Sequence, residues 1–174
     1  MRRGQQLSLT LLPDTAEVAS DGSLLVGGCR LVDLAAQFGT PVFVYDEAHL
    51  RARCREAVAA FGPGRVIYAA KAFLCTAMAR LVHEEGLLID VASGGEMYVA
   101  LHAGVPATAL TVHGSNKSVD ELRAAVSAGV RHIVVDSFDE VDRLEMLHSE
   151  GLPVSNVLAR ITPAADHTDL RGCD

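Results

Sequence analysis

Short apolar runs that end in a polar residue recur at a nearly constant interval along most of this chain, and that interval limits the available folds more than any other feature. Residues 66–70, 87–92, 109–113, 132–136 and 156–161 read as strands, and they end near positions 71, 93, 114, 137 and 160, at intervals of 22, 21, 23 and 23 residues. Segments 73–85, 95–103, 119–128 and 138–149 lie between them and carry helical spacing of apolar residues. Strict alternation of strand and helix predicts right-handed βα units on a parallel sheet. The strands are nearly continuous apolar runs, as expected where both sheet faces are covered.

Local chemistry marks the same boundaries. Ser93 precedes Glu96, Ser118 precedes Glu121 and Ser137 precedes Glu140, each by three positions. That is the capping-box spacing, in which hydroxyl and carboxylate satisfy the orphan amides of a first helical turn. Gly86, Gly104, Gly129 and Gly151 fall at or near the helix ends, where a left-handed cap is needed.

Two architectures accept such units. A doubly wound dinucleotide-binding sheet needs a glycine-rich turn after its first strand, but that turn is Lys71-Ala72-Phe73, and Gly94-Gly95 after the next strand lacks the rest of the fingerprint. A TIM-type barrel places its chemistry at the C-terminal ends of many strands. Those ends here carry Lys71, Asp90 with Ser93, His113 with Ser115 and Asn116, Asp136 with Ser137, and Arg160. The expected fold is therefore α/β, a partial (β/α)8 TIM-type barrel with about five parallel strands, because nothing after Pro163 reads as a further unit.

The first 40 residues differ. Asp21-Gly22-Ser23 reads as a turn, 24–26 as a strand before Gly27-Gly28, and 31–38 as a helix stopped by Gly39. Segment 41–45 reads as an apolar strand. Asp46 is the expected N-cap of a helix carrying Leu50, Cys54, Val58 and Phe61 on one face, up to Gly62-Pro63-Gly64.

The chain has 174 residues, 49% of them hydrophobic, with a mean hydropathy of +0.24, so it can bury a sizeable core. A formal net charge of −7 argues against a partner held by phosphate contacts, and so against nucleic acid. Cys29, Cys54, Cys75 and Cys173 show no metal-ligand or redox spacing and read as reduced thiols. The apolar stretch from Leu7 to Leu12, broken by Pro13, is too short for a signal-peptide core, and no run approaches a membrane span. The expectation is a cytoplasmic protein without membrane partners.

Each polar strand-end residue has two readings. Lys71 is either a cation that snorkels to solvent or an amine that forms a Schiff base with pyridoxal phosphate, where partial desolvation would favour its neutral, nucleophilic form. Glu96 is sufficiently explained as the capping partner of Ser93. Asp90, on a buried strand, needs a partner for its carboxylate. His113 is either a satisfied core histidine or part of the site. Arg160 lies in an apolar strand and must meet an anion or a carboxylate, with Asp90 and a cofactor oxygen as the two candidates.

The segments Tyr68-Ala69-Ala70-Lys71, Asp90-Val91-Ala92-Ser93-Gly94-Gly95-Glu96, His113-Gly114-Ser115-Asn116-Lys117-Ser118 and Val135-Asp136-Ser137 resemble, in order and spacing, the N-terminal half of the diaminopimelate decarboxylase family. That family belongs to the fold-type III pyridoxal-phosphate decarboxylases. Gly39-Thr40-Pro41-Val42-Phe43-Val44-Tyr45-Asp46 is similar to the family's opening segment, and the resemblance covers roughly residues 20 to 163. It implies a (β/α)8 barrel with a second β domain made from both chain ends, so that 1–40 would belong to that β domain and 41–174 to an incomplete barrel that binds pyridoxal phosphate. It implies that Lys71 is the catalytic and cofactor-holding lysine, with Asp90, Ser93, Glu96, His113 and Arg160 around the cofactor and Arg160 near the phenolic oxygen. It implies an amino-acid substrate, loss of CO₂ from the D-centre of meso-diaminopimelate to give L-lysine, and a homodimer with sites at its interface. The alternatives are an ornithine or arginine decarboxylase or a racemase of the same fold type, or a non-catalytic module that binds the cofactor. The family's Arg-x-x-Pro-Gly is here Arg160-Ile161-Thr162-Pro163-Ala164. The family's ring-stacking histidine, glycine-rich phosphate loop, glutamate facing the pyridine nitrogen and C-terminal cysteine have no counterparts, Cys173 included. The expectation is a truncated form that binds the cofactor weakly and has little activity alone.

Overall fold

The computed structural model of the chain describes residues 9–161. Two compact units emerge, one containing the described residues up to Val66 together with Glu84–Leu87, the other containing Ile67–His83 and the described residues from Leu88 onward.

The first unit carries a small antiparallel sheet, with β1 (Glu17–Val18) and β3 (Cys29–Arg30) on either side of β2 (Leu24–Val26). Asp21 closes the turn between β1 and β2 by accepting bonds from the Ser23 hydroxyl at 2.7 Å and the Ser23 N–H at 3.0 Å. The Ser23 hydroxyl and N–H, with the Arg30 guanidinium, draw the Asp21 carboxyl down to about 2. Strand β3 runs directly into α1 (Leu31–Phe38), which stops at Gly39.

The strand expected over 41–45 does not form. These residues pair with no strand among the described residues, and Phe43 is 87% exposed. An apolar, β-rich run becomes a strand only where a neighbour completes its ladder. Asp46 does cap α2 (Glu47–Phe61), accepting the His49 N–H at 3.1 Å and the Thr15 hydroxyl. Cys54 is buried in α2, and burial pushes its thiol up, whereas Phe61 at the end of the expected apolar face is exposed. Arg51 and Arg55 both bond to Glu85, at 2.8 and 2.6 Å. Cys29, Cys54 and Cys75 form no disulfide, and Cys173 lies outside the described residues.

The second unit is a five-stranded parallel sheet of β4 (Ile67–Ala69), β5 (Leu88–Val91), β6 (Leu110–Val112), β7 (His132–Val135) and β8 (Val157–Ala159), arranged side by side in chain order. All five strands lie within the predicted segments. Unbroken order is the winding of a barrel wall, since a doubly wound sheet reverses direction part-way. Helices α3 (Thr76–Glu84), α4 (Gly94–His102), α5 (Val119–Ala128) and α6 (Phe138–Ser149) alternate with the strands. Ile89, Leu110, Leu122, Ile133 and Leu147 are fully buried, each contributing about 1.5–3 kcal/mol of apolar transfer energy. By contrast, all three residues of β8 are exposed.

The helix starts follow the serines, with one refinement. Ser93, Ser118 and Ser137 all accept the N–H three residues on, but among the described residues the reciprocal capping box is complete at Ser118–Glu121. The Glu96 carboxylate instead takes the Ala92 N–H at 2.7 Å, and the Glu140 carboxylate takes those of Lys117 and Asp136. Helix α3 begins at Thr76 and not at 73, because residues 70–72 first close a single 3-10 turn. Gly129 ends α5 in the left-handed conformation, with φ +73° and ψ +45°, as its position predicts.

Candidate functional site

In a parallel sheet the C-terminal ends of the strands share one edge, and register decides which side chains meet there. Ala69 pairs with Asp90, Val91 with Val112, and Val135 with Ala159. The residues that follow therefore share one rim, and there Lys71, Asp90, His113, Gly114, Ser115 and Arg160 line a cleft of about 440 Å³.

Lys71 reaches the cleft through the 3-10 turn after β4. Ala70 turns inward and is 2% exposed, while Lys71 turns outward. The Tyr68 hydroxyl donates to the Phe73 carbonyl at 2.5 Å and ties the turn across its base. Lys71 is exposed and has no hydrogen bond or ion pair among the described residues, so the expected partial desolvation is not present. The chain has two lysines, Lys71 and Lys117. Lys117 is 3% exposed and bound to Glu140, which leaves Lys71 as the lysine open to an aldehyde.

Asp90 finds its partner in the next strand end, where its Oδ2 lies 3.1 Å from Nδ1 of His113. Its other oxygen, Oδ1, is buried and without a hydrogen bond. Arg160 does not pair with Asp90: its guanidinium, half exposed, lies 3.8 Å from Oδ2 of Asp136. Asp90 lies within β5 beside His113, whereas Asp136 follows the last residue of β7, the strand that pairs with β8 just before Arg160.

Gly114 shapes the wall beside His113. Its φ is +100°, and a Cβ there would sit 2.6 Å from the Ala92 carbonyl oxygen, so the loop after β6 lies directly against the end of β5. Ser93 and Glu96 do not line the cleft. Their side chains hold the start of α4, Ser93 Oγ accepting the Glu96 N–H at 3.2 Å. The structure thus brings together Lys71, Asp90, His113 and Arg160 of the six expected residues, and adds Gly114 and Ser115.

Sequence reasoning did not reach the buried pair behind this wall. Lys117 Nζ donates to the Gly114 carbonyl at 2.6 Å and to Glu140 at 3.0 Å. Burial pushes the Glu140 carboxyl up, but the Lys117 ammonium, together with the Lys117 and Asp136 N–H groups, outweighs it and leaves the carboxyl below its usual range. The available signal was a lysine one residue before the Ser118 cap, a position from which its side chain can turn back under the preceding loop.

The cleft suits a carbonyl compound with oxygen substituents. It offers one free amine, a guanidinium that favours an anionic oxygen, and a buried carboxylate oxygen lacking a donor. A second cavity, of about 460 Å³, lies between α6 and β8, but valine and leucine side chains dominate it and no amine or guanidinium enters it. No helix among the described residues is long and apolar enough to cross a membrane.

The chain is similar to known proteins over most of its length. The family described as pyridoxal-dependent decarboxylase, pyridoxal binding domain, matches residues 47–172. Diaminopimelate decarboxylase of Mycobacterium tuberculosis (strain ATCC 25618 / H37Rv) is 54% identical over 149 residues, covering 84% of this chain and 33% of that protein. The crystal structure of diaminopimelate decarboxylase from M. jannaschii superposes with a TM-score of 0.78 at 30% identity, covering 91% of this chain and 38% of that one. The same enzyme in co-complex with L-lysine gives a TM-score of 0.77 at 30% identity, covering 88% and 37%. The chain spans about a third of the length of the curated relatives it matches.

Proposed function

Because the chain belongs to the pyridoxal-dependent decarboxylases through their pyridoxal-binding domain, we propose that it is the lysine-bearing portion of an enzyme that removes CO₂ from meso-diaminopimelate to give L-lysine. The 54% identity to the mycobacterial diaminopimelate decarboxylase supports this substrate over those of other family members. A single observation carries the reading: of two lysines, one is locked in a buried pair, and the other stands free at a strand end beside Asp90, His113 and Arg160.

Each residue has a role that its surroundings permit. Lys71 would hold pyridoxal phosphate through its aldehyde. When bound, the cofactor supplies a conjugated ring that accepts the electron pair left as CO₂ departs. Arg160, held toward the rim by Asp136, would face the phenolic oxygen with a permanent charge. Asp90 would hold the His113 ring with one oxygen and keep the other for a donor on the bound molecule. Ser93 and Glu96 would support the rim by fixing the start of α4.

On this reading residues 1–40 belong to a β domain and 41–174 to an incomplete barrel. The whole enzyme is a cytoplasmic homodimer, and the 174-residue chain alone binds the cofactor weakly and turns over little substrate. The test is to mix the chain with pyridoxal phosphate, reduce with borohydride, and map the modified residue by peptide mass spectrometry. Modification of Lys71 is expected. Modification of another residue, or of none, in this chain and in a form extended to the full length of its relatives overturns the proposal.

A further inference from the structure

Two of the glutamates that open helices on the strand-end rim reach backward into the preceding βα unit. Glu121 in α5 accepts the N–H of Gly94, the first residue of α4, at 2.9 Å, besides that of Ser118 at 3.0 Å. Glu140 in α6 accepts the N–H of Lys117, just ahead of α5, at 2.9 Å, and that of Asp136 at 3.2 Å. The second link is unusual in its chemistry, because Glu140 is fully buried and Lys117 is 3% exposed. Helix capping needs no buried lysine, and a buried ion pair adds little stability over apolar residues of the same volume. The pair therefore needs another explanation, and its contacts supply one.

Lys117 Nζ spends a hydrogen bond on the Gly114 carbonyl at 2.6 Å. Gly114 is held at φ +100° against Ala92, and Asn116 sits at φ +59°, in the left-handed region that asparagine tolerates better than most residues other than glycine. Arg143, one turn on from Glu140 in α6, reaches the Asn116 side-chain oxygen at 3.4 Å. The start of α6 thus dictates the shape of the loop after β6, and that loop contributes His113, Gly114 and Ser115 to the cleft.

We propose that Lys117 and Glu140 are positioning residues, holding loop 114–117 in the shape that lets a cofactor seat beside Lys71. The inference rests on the reading of Lys71 as the cofactor lysine. The paired variant Lys117→Met with Glu140→Leu, made in the 174-residue chain, separates positioning from plain stability. It removes both buried charges together, so neither is left unpaired, while the bonds to Gly114, Lys117 and Asp136 are lost.

Three readouts are taken on the parent and the variant: melting temperature, amide hydrogen exchange over 113–117, and the pyridoxal phosphate concentration that gives half-maximal borohydride labelling of Lys71. The expected result is a melting temperature within a few degrees of the parent, faster exchange at 114–116, and a half-labelling concentration raised roughly tenfold. Parent-like exchange and labelling in a folded variant overturn the inference. If the parent is not labelled at Lys71 either alone or in a form extended to the full length of its relatives, the cofactor reading fails, and exchange alone then decides whether the pair shapes the loop. If the paired variant does not fold, Glu140→Asp, which keeps the charge and shortens its reach, carries the same comparison. Weaker labelling with retained fold supports positioning, and parent-like labelling overturns it.

Discussion

Asp90 and His113 meet at 3.1 Å across the ends of neighbouring strands, and the second Asp90 oxygen is buried with no donor. A buried carboxylate oxygen without a protein donor, on a residue that lines the cleft, suits a donor on a bound molecule. Both side chains are partly exposed, so the pair is worth only about 0–1 kcal/mol to the fold. Asp90→Asn should therefore leave thermal unfolding nearly unchanged while lowering pyridoxal phosphate labelling of Lys71 several-fold. Equal labelling in parent and variant would remove Asp90 from the site.

Lys71→Ala should be thermodynamically quiet, within about 0.5 kcal/mol by chemical denaturation, because the side chain is exposed and makes no polar contact among the described residues. Borohydride incorporation should fall to background, since Lys117 is buried and engaged. Incorporation that survives the substitution would move the chemistry to another group.

Gly114→Ala should be costly. The left-handed backbone alone penalises alanine by about 1–3 kcal/mol, and the new methyl would press on the Ala92 carbonyl oxygen at 2.6 Å. Urea titration should show a lowered midpoint together with lowered Lys71 labelling. Gly104→Ala, whose Cβ would meet nothing within 4 Å, should cost less, and equal losses at the two positions would contradict the close approach at Gly114.

Acid should unfold the chain by discharging its laced carboxylates. The Gly94 N–H holds the Glu121 carboxyl below its usual range, the Arg55 guanidinium does the same for Glu85, and at Glu140 the Lys117 contacts outweigh an opposing burial effect. A carboxyl with a lowered folded value binds fewer protons folded than unfolded. Its stabilisation is complete above the unfolded value, about 4.3, and is lost as pH falls through the folded one. Unfolding free energies measured from pH 7 to pH 3 should be level at first and then decline below about pH 4.5. The Lys117→Met, Glu140→Leu pair should decline less steeply; an identical slope would show that Glu140 takes no part.

The outer edge of β8 pairs with no other strand among the described residues, and Val157 and Leu158 are 50% and 46% exposed. An apolar edge of this kind recruits another strand. Sedimentation should show association that rises with concentration, and Leu158→Lys should shift the distribution toward monomer. A monodisperse parent chain at high concentration would count against it.

The strand-helix rhythm was legible because local signals agreed: the bounds of α5 and α6 follow from Ser118, Gly129 and Ser137. Residues 41–45 misled for the opposite reason, since a strand depends on a partner that composition does not reveal. At the site, Lys71, Asp90, His113 and Arg160 could be named because each lies at or near the C-terminal end of a strand. Their pairing could not, because it depends on which strands become neighbours: β6 brings His113 beside Asp90, and β7 brings Asp136 toward Arg160 after β8. Lys117 and Glu140 lie 23 residues apart and belong to different units, so no local pattern joins them.

The backward reach of Glu121 and Glu140 has a consequence for how such a chain comes into being. A ribosome delivers the polypeptide from its N-terminus, so the ammonium of Lys117 is made well before the carboxylate that will neutralise it, and Gly94 waits likewise for Glu121. The units that begin α4 and α5 are thus each finished by their successor, and there the growing wall matures one step behind its own synthesis.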